Sequence, residues 1–138
     1  MSELRLPAAT ESVSVARRFA RDELRSSTAD VDTVVLLVSE LVTNAVLHAR
    51  SDVLLTVDDQ GAIARVEVSD SSPLPPRLHN FAVESATGRG MKLLDRLAQR
   101  WGALPRKDGG KVVWFEVGAP SEAAWQSYAD TLLAEDAP

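Results

Sequence analysis

The sequence predicts an α/β fold: a two-layer sandwich in which a mixed, mostly antiparallel sheet carries helices on one face. Two observations place the strands. One pair of short apolar-rich runs is joined by Asp59-Gln60-Gly61 and a second pair by Pro105-Arg106-Lys107-Asp108-Gly109-Gly110, and each pattern is that of an antiparallel hairpin. A third observation places the helices, because apolar residues recur at helical spacing before, between and after these hairpins.

The elements follow in order. Glu3–Leu6 alternates polar and apolar residues, reads as a short first strand, and is broken by Pro7. Thr10 is placed to cap a helix running through ESVSVARRFARDELRS, where Val13, Ala16, Phe19, Ala20 and Leu24 share a side. Asp30 caps the next run, VDTVVLLVSELVTNAVLHA. Its valines suit a strand, but about nineteen residues without Gly or Pro exceed ordinary strand length, so a largely buried helix is expected. Val53–Val57 and Ile63–Val68 form the first hairpin, with Gly61 free to take positive φ. The long stretch SSPLPPRLHNFAVESATGRG reads as a loop, and loops of that length are commonly functional. Met91–Gln99 resumes helical spacing through Leu93, Leu94, Leu97 and Ala98. Trp101–Leu104 and Val112–Val117 form the second hairpin, and Ser121–Leu133 forms a last amphipathic helix before a fraying tail.

Composition narrows the function. At 138 residues the chain fits one domain with a core of its own. The net charge is −5, and twelve Arg and three Lys are dispersed rather than clustered, which argues against direct nucleic-acid binding. There is no cysteine, hence no disulfide, thiolate metal site or cysteine nucleophile. The N-terminus has no apolar stretch of signal-peptide length, and no run of about 18 apolar residues is evident, so no membrane span and a cytoplasmic setting are expected.

Within the long apolar helix, Glu40, Asn44 and His48 stand at i, i+4 and i+8, each step turning only about 40° around a helix of 3.6 residues per turn. A carboxylate there is expensive to bury unless it is paired or faces a wet cavity. Asn and Glu one turn apart suit a hard cation held with phosphate: an amide oxygen for magnesium, a carboxylate for a proton or a water. Taken alone, the spacing is common, and a solvated Glu beside a locally bonded Asn explains it. Two further features bear on it. Asp70 ends the strand ARVEVSD, where it either accepts from a ligand amino group or opens a turn. Ala86-Thr87-Gly88-Arg89-Gly90 precedes a helix, where glycines let backbone N–H groups approach a phosphate.

In this order, these features resemble the GHKL ATPase/kinase superfamily with its Bergerat nucleotide fold, and among its members the small bacterial anti-sigma-factor serine/threonine kinases. Ser39-Glu40-Leu41-Val42-Thr43-Asn44-Ala45-Val46-Leu47-His48-Ala49 is similar to that family's N-box. Thr87-Gly88-Arg89-Gly90-Met91, followed by Leu93, Leu94 and Asp95, resembles its second glycine box. Gly110-Lys111-Val112-Val113-Trp114-Phe115-Glu116 resembles its closing strand.

The resemblance implies ATP and Mg²⁺ as cofactors and assigns roles. Glu40 is the general base toward a substrate serine hydroxyl, Asn44 the magnesium ligand, and Asp70 the reader of the adenine amino group. Gly88 and Gly90 shape the lid over the phosphates, with Arg89 and Lys92 adding charge. His48 takes a supporting role beside Asn44. Residues 1–120 are the ATP-binding/kinase domain and 121–138 a C-terminal helix and short tail. The implied function is an anti-sigma factor that sequesters a sigma factor, phosphorylates a small antagonist protein and forms a homodimer. A histidine kinase fits less well, since no dimerisation helices or phosphoacceptor region precede the ATP-binding part.

Two departures support an alternative, a non-catalytic protein-binding switch on the same fold with weak or no ATP binding. Asp70 is followed by Ser71-Ser72-Pro73 rather than the family's Asp-x-Gly-x-Gly, and Val112 stands where the family often has a threonine near the adenine.

Overall fold

The computed structural model describes residues 1–71 and 93–120. Five strands and two long helices appear: β1 (Ser2–Leu6), α1 (Glu11–Glu23), α2 (Val31–Asn44) continuing into a π turn (Ala45–Ala49), β2 (Val53–Asp59), β3 (Ala64–Asp70), β4 (Arg100–Pro105) and β5 (Lys111–Val117). Residues 93–97 are helical, within the helix expected over Met91–Gln99. The last expected helix, Ser121–Leu133, lies outside the described residues.

The strands form one sheet in the order β1-β2-β3-β5-β4. All four pairings are antiparallel, in keeping with the mostly antiparallel sheet expected. Both hairpins turn where the sequence places them, with Gly61 at φ 87° and Gly109 at φ 97°. Alternation fixes which face is which. Ala64, Val66, Val68 and Asp70 of β3, with Lys111, Val113, Phe115 and Val117 of β5, are buried against the helices. The intervening residues Arg65, Glu67, Ser69, Val112 and Trp114 are half-buried on the other face.

The core is built from Ala16, Ala20 and Leu24 near α1, Val34, Leu37, Val38, Leu41 and Val42 of α2, Leu93, Leu94 and Leu97, and the inward residues of the sheet. Helix α2 packs on both α1 and β3. Each fully buried Val or Leu contributes about 1.5–3 kcal/mol. By length and mean hydropathy, 19 residues at 1.5, the Val31–Ala49 helix is apolar enough to cross a membrane, a test that buried core helices also pass. Its buried sides are the ones that meet α1 and β3, and so its hydropathy is that of a core helix.

The two helix starts differ. Asp30 caps α2 as expected, its carboxylate accepting from Thr33 N at 3.2 Å and from Thr33 Oγ1 at 2.8 Å. Thr10 does not cap α1 with its side chain. It is itself in the helical region, at φ −62° and ψ −29°, so the Ala9 and Thr10 carbonyls accept from the Ser12 and Val13 N–H groups instead. An N-cap hydroxyl works from an extended backbone that Thr10 does not adopt.

Candidate functional site

The helix wall comes first. Glu40 and Asn44 lie one turn apart on α2, both half-buried. Asn44 Nδ2 is a buried nitrogen with no hydrogen-bond partner among the described residues. Leaving such a donor unmet costs about 1–3 kcal/mol, and a polar ligand would recover it. The same amide, turned about its last torsion, offers its oxygen instead. An unsatisfied Asn one turn from a carboxylate is a donor set that fits a phosphate–magnesium group.

His48 is a correction to the stripe. The α-helix ends at Asn44, and Ala45–Ala49 forms a π turn. Bonding from i to i+5 widens the turn, so the step from Asn44 to His48 departs from the α-helical step on which the stripe was drawn. Glu40 and Asn44 keep their shared face, whereas the π turn sets the place of His48. Such turns are frequent at functional sites. This one closes at Arg50, the one non-glycine residue with positive φ (51°) among the described residues.

Immediately after it, Ser51 ties the two walls together. Its backbone N–H donates to Ala45 O at 3.3 Å. Its hydroxyl donates to Asp52 O at 2.7 Å, accepts from Ser71 N at 2.8 Å and lies 2.7 Å from Ser71 Oγ. Ala45 adjoins Asn44 and Ser71 adjoins Asp70, so one buried serine links the end of α2 to the end of β3.

The strand wall is Asp70 with Lys111. These residues are register partners across β3 and β5. The Lys111 ammonium lies 3.0 Å from each carboxylate oxygen, with only 10% and 7% of the two side chains exposed. Beside them, a Cβ on Gly110 would lie 2.1 Å from Asp70 O, so only glycine lets the β4–β5 turn come this close. Arg106 holds the same strand end from the other side, donating to Asp70 O at 3.1 Å and Ser69 Oγ at 2.8 Å and pairing with Asp108. Val112, expected near the adenine, pairs instead with Ser69 and points to the face turned away from α1 and α2. The residue that meets Asp70 is Lys111.

Sequence reasoning passed over Ser51, and placed Gly110 and Lys111 in a turn and a closing strand without giving either a role at the site. The signal for Lys111 was available: if β3 pairs antiparallel with β5, the first residue after Gly109-Gly110 falls opposite the strand-ending Asp70. Gly88, Arg89, Gly90 and Lys92, the expected phosphate loop, lie outside the described residues. Two cavities among the described residues sit elsewhere. One is lined by Asp30, Thr33, Gln99 and Gly118, the other by Arg5, Leu54, Ser69 and Arg106, and neither is lined by Glu40, Asn44 or Asp70.

Charge on the face turned away from α1 and α2 is organised around Glu116. Its hydrogen bond from Arg100 holds its carboxyl below the usual carboxylate range, burial opposes this, and Arg65 assists. The Arg65 guanidinium also lies 4.4 Å from the centre of the Trp114 ring.

A family model for the histidine kinase-like ATPase domain matches residues 6–117. The chain belongs to this family. It is a GHKL-type ATP-binding protein, and the match takes in the helix wall, Ser51, Asp70 and Lys111 alike. Among solved structures, the histidine kinase domain of the blue-light activated histidine kinase from Erythrobacter litoralis EL346 is similar at 20% identity and a TM-score of 0.48. The alignment covers 95% of this chain and 66% of that one. No curated protein matches the sequence significantly.

Proposed function

We propose that this ATP-binding domain is a cytoplasmic protein serine/threonine kinase that acts as an anti-sigma factor. It holds a sigma factor and releases it in a cycle with a small antagonist protein, which it phosphorylates on serine. The observation that carries the reading is the pair on α2: a carboxylate at Glu40, and one turn on, the unmet buried amide of Asn44.

The chemistry assigns each residue a task. Asn44 would hold Mg²⁺, which when bound neutralises charge on the phosphates. Asp70 accepts from the adenine amino group. Glu40 accepts the proton of the substrate hydroxyl as the new oxygen–phosphorus bond forms and ADP leaves. Ser51 keeps the helix wall and the strand wall at a fixed separation. Gly88, Arg89, Gly90 and Lys92 belong to the same proposal as the phosphate-covering loop.

The test is transfer of labelled γ-phosphate to an antagonist protein co-purified from the native cell. Transfer by wild type and its loss in Glu40→Ala, with ATP affinity largely kept, supports the kinase. A wild type that binds ATP and transfers nothing, beside an active control kinase, removes it.

A second reading, a non-catalytic switch on the same fold, draws on one observation: the Asp70 carboxylate is already engaged by Lys111. Calorimetry with ATP and Mg²⁺ separates the two, since a switch of this kind shows weak binding or none.

A further inference from the structure

A cavity of about 390 Å³ lies on the sheet face turned away from α1 and α2, outside the nucleotide walls. Small-molecule sites have volumes of roughly 300–1,000 Å³. The strand register sets Arg5, Leu54 and Ser69 in one row across β1, β2 and β3. Strands about 4.8 Å apart put the Arg5 and Ser69 backbones about 10 Å apart, with Leu54 as the floor between them. Arg106 enters from the β4–β5 turn and donates to Ser69 Oγ at 2.8 Å, so a second guanidinium is held over the same row. Asp52, just before β2, and Ser71, just after β3, complete the described lining.

The donors and acceptors of this lining are only partly used. Arg5 forms no ion pair among the described residues, so all five of its N–H donors face outward. Arg106 gives three of its five to Ser69 Oγ, Asp70 O and Asp108, which fixes the guanidinium and leaves two. Asp52 accepts from Ala8 N at 3.2 Å through Oδ1, and its Oδ2 has no partner among the described residues. Asp108 does not line the cavity, so two guanidiniums stand there against one carboxylate.

We propose that this cavity binds a free acidic α-amino acid. One carboxylate of the ligand meets Arg5, the other meets Arg106, the ammonium meets Asp52 and the methylenes lie on Leu54. Guanidinium forks suit carboxylates, which accept two parallel N–H bonds. The Asp52 carboxylate works against a phosphate or a simple dicarboxylate, since neither brings a cation to it. A glutamate side chain within a protein fits less well, because it offers one carboxylate and no ammonium. The proposal stands whether or not the chain binds ATP.

The experiment is a calorimetric titration of the full chain, without nucleotide, with L-glutamate, glutarate and L-glutamine. Glutarate lacks the ammonium, and glutamine lacks the side-chain carboxylate. Wild type is expected to bind glutamate and to lose roughly tenfold or more with each analogue. Arg5→Met should weaken glutamate by a similar factor. Asp52→Asn keeps an oxygen for Ala8 N, and it should weaken glutamate while leaving glutarate unchanged or tighter. A merely structural role for Asp52 would instead weaken both ligands together. Both side chains are exposed, so the variants should keep the wild-type urea midpoint. Should either variant unfold, the wild-type series decides alone. The proposal is overturned by a wild type that takes up no glutamate at about 10 mM, or by glutarate binding as tightly as glutamate. It is equally overturned if folded Arg5→Met and Asp52→Asn bind glutamate as wild type does.

Discussion

Asp70 and Glu116 are two carboxylates on paired strands, each nearly closed to solvent, on opposite faces of the same sheet. Glu116 is over-supplied. Arg100 donates to Oε1 from Nε at 2.9 Å and from a terminal nitrogen at 2.6 Å, while Arg65 donates to Oε2 at 3.0 Å. Those guanidiniums reach into water, with 69% of Arg100 and 29% of Arg65 exposed. Asp70 faces a compact ammonium, that of Lys111, which is itself buried. On the face turned away from α1 and α2, charge is neutralised with partners to spare, as a structural network requires. On the face that meets α1 and α2, Asn44 Nδ2 makes no hydrogen bond among the described residues. The contrast separates charge that holds the sheet together from charge held for a ligand.

The sharpest way to break the comparison is to remove one partner from each carboxylate. Lys111→Met takes the buried ammonium away from a buried carboxylate and should lower stability by about 3 kcal/mol, read as a fall in the urea midpoint. Arg100→Met leaves Arg65 in place and removes an exposed partner, so it should cost about 1 kcal/mol or less. Equal losses would erase the distinction. Replacing both members of the buried pair, Asp70→Leu with Lys111→Met, should recover most of the stability while nucleotide affinity stays lost. Gly110→Ala ranks next. Its Cβ meets backbone rather than a flexible side chain, so Asp70 must move, at about 1–3 kcal/mol and with weakened ATP binding. No alanine on the face turned away from α1 and α2 should do both.

The pH dependence sharpens the same contrast. The folded-state value of Glu116 is depressed from its ordinary 4.5, chiefly by Arg100. The sign follows: the unfolded state takes up the proton first as pH falls. The stabilisation from Glu116 is therefore complete above the unfolded value and is lost as pH drops through the lower, folded one. Urea midpoints measured from about pH 6 down to about pH 3 should decline in wild type, and the decline should be shallower in Glu116→Gln. At neutral pH that variant should cost about 1–2 kcal/mol, charged hydrogen bonds discounted for the exposure of Arg100.

Most of this architecture was legible in the sequence because its signals are local. Gly61 and Gly109 mark the hairpins by the φ they must adopt, and Asp30 marks a helix start by the N–H it can accept. The length and apolar content of 31–49 decide helix over strand. Glu40 and Asn44 are one helical turn apart whatever surrounds them. Three features depended on non-local geometry and did not show. The switch from α to π bonding after Asn44, closing at Arg50, has no local sequence signal, and helical spacing alone carried the stripe through to His48. Thr10 has the right side chain for a cap and the wrong backbone. Lys111 needed the β3–β5 register, which joins residues 41 apart in sequence, so the nearby Val112 drew attention on motif grounds although it faces the other way.

Ser51 offers the finest test of the link between the two walls. Its hydroxyl is the acceptor for Ser71 N and contacts Ser71 Oγ, and its backbone holds the π turn at Ala45. Ser51→Ala keeps the backbone bond and removes the hydroxyl, so global stability should fall by only about 1 kcal/mol. Asn44 and Asp70 would lose the side-chain tether between them while each kept its own neighbours. If the serine sets their separation, ATP affinity falls by more than the stability loss implies, because both ends of the nucleotide must be met at once. Ser51→Thr keeps the hydroxyl and should restore affinity, provided the extra methyl is accommodated. An alanine variant that loses stability yet binds ATP as wild type does would show that the helix wall and the strand wall are positioned independently by the packing of α2 on β3.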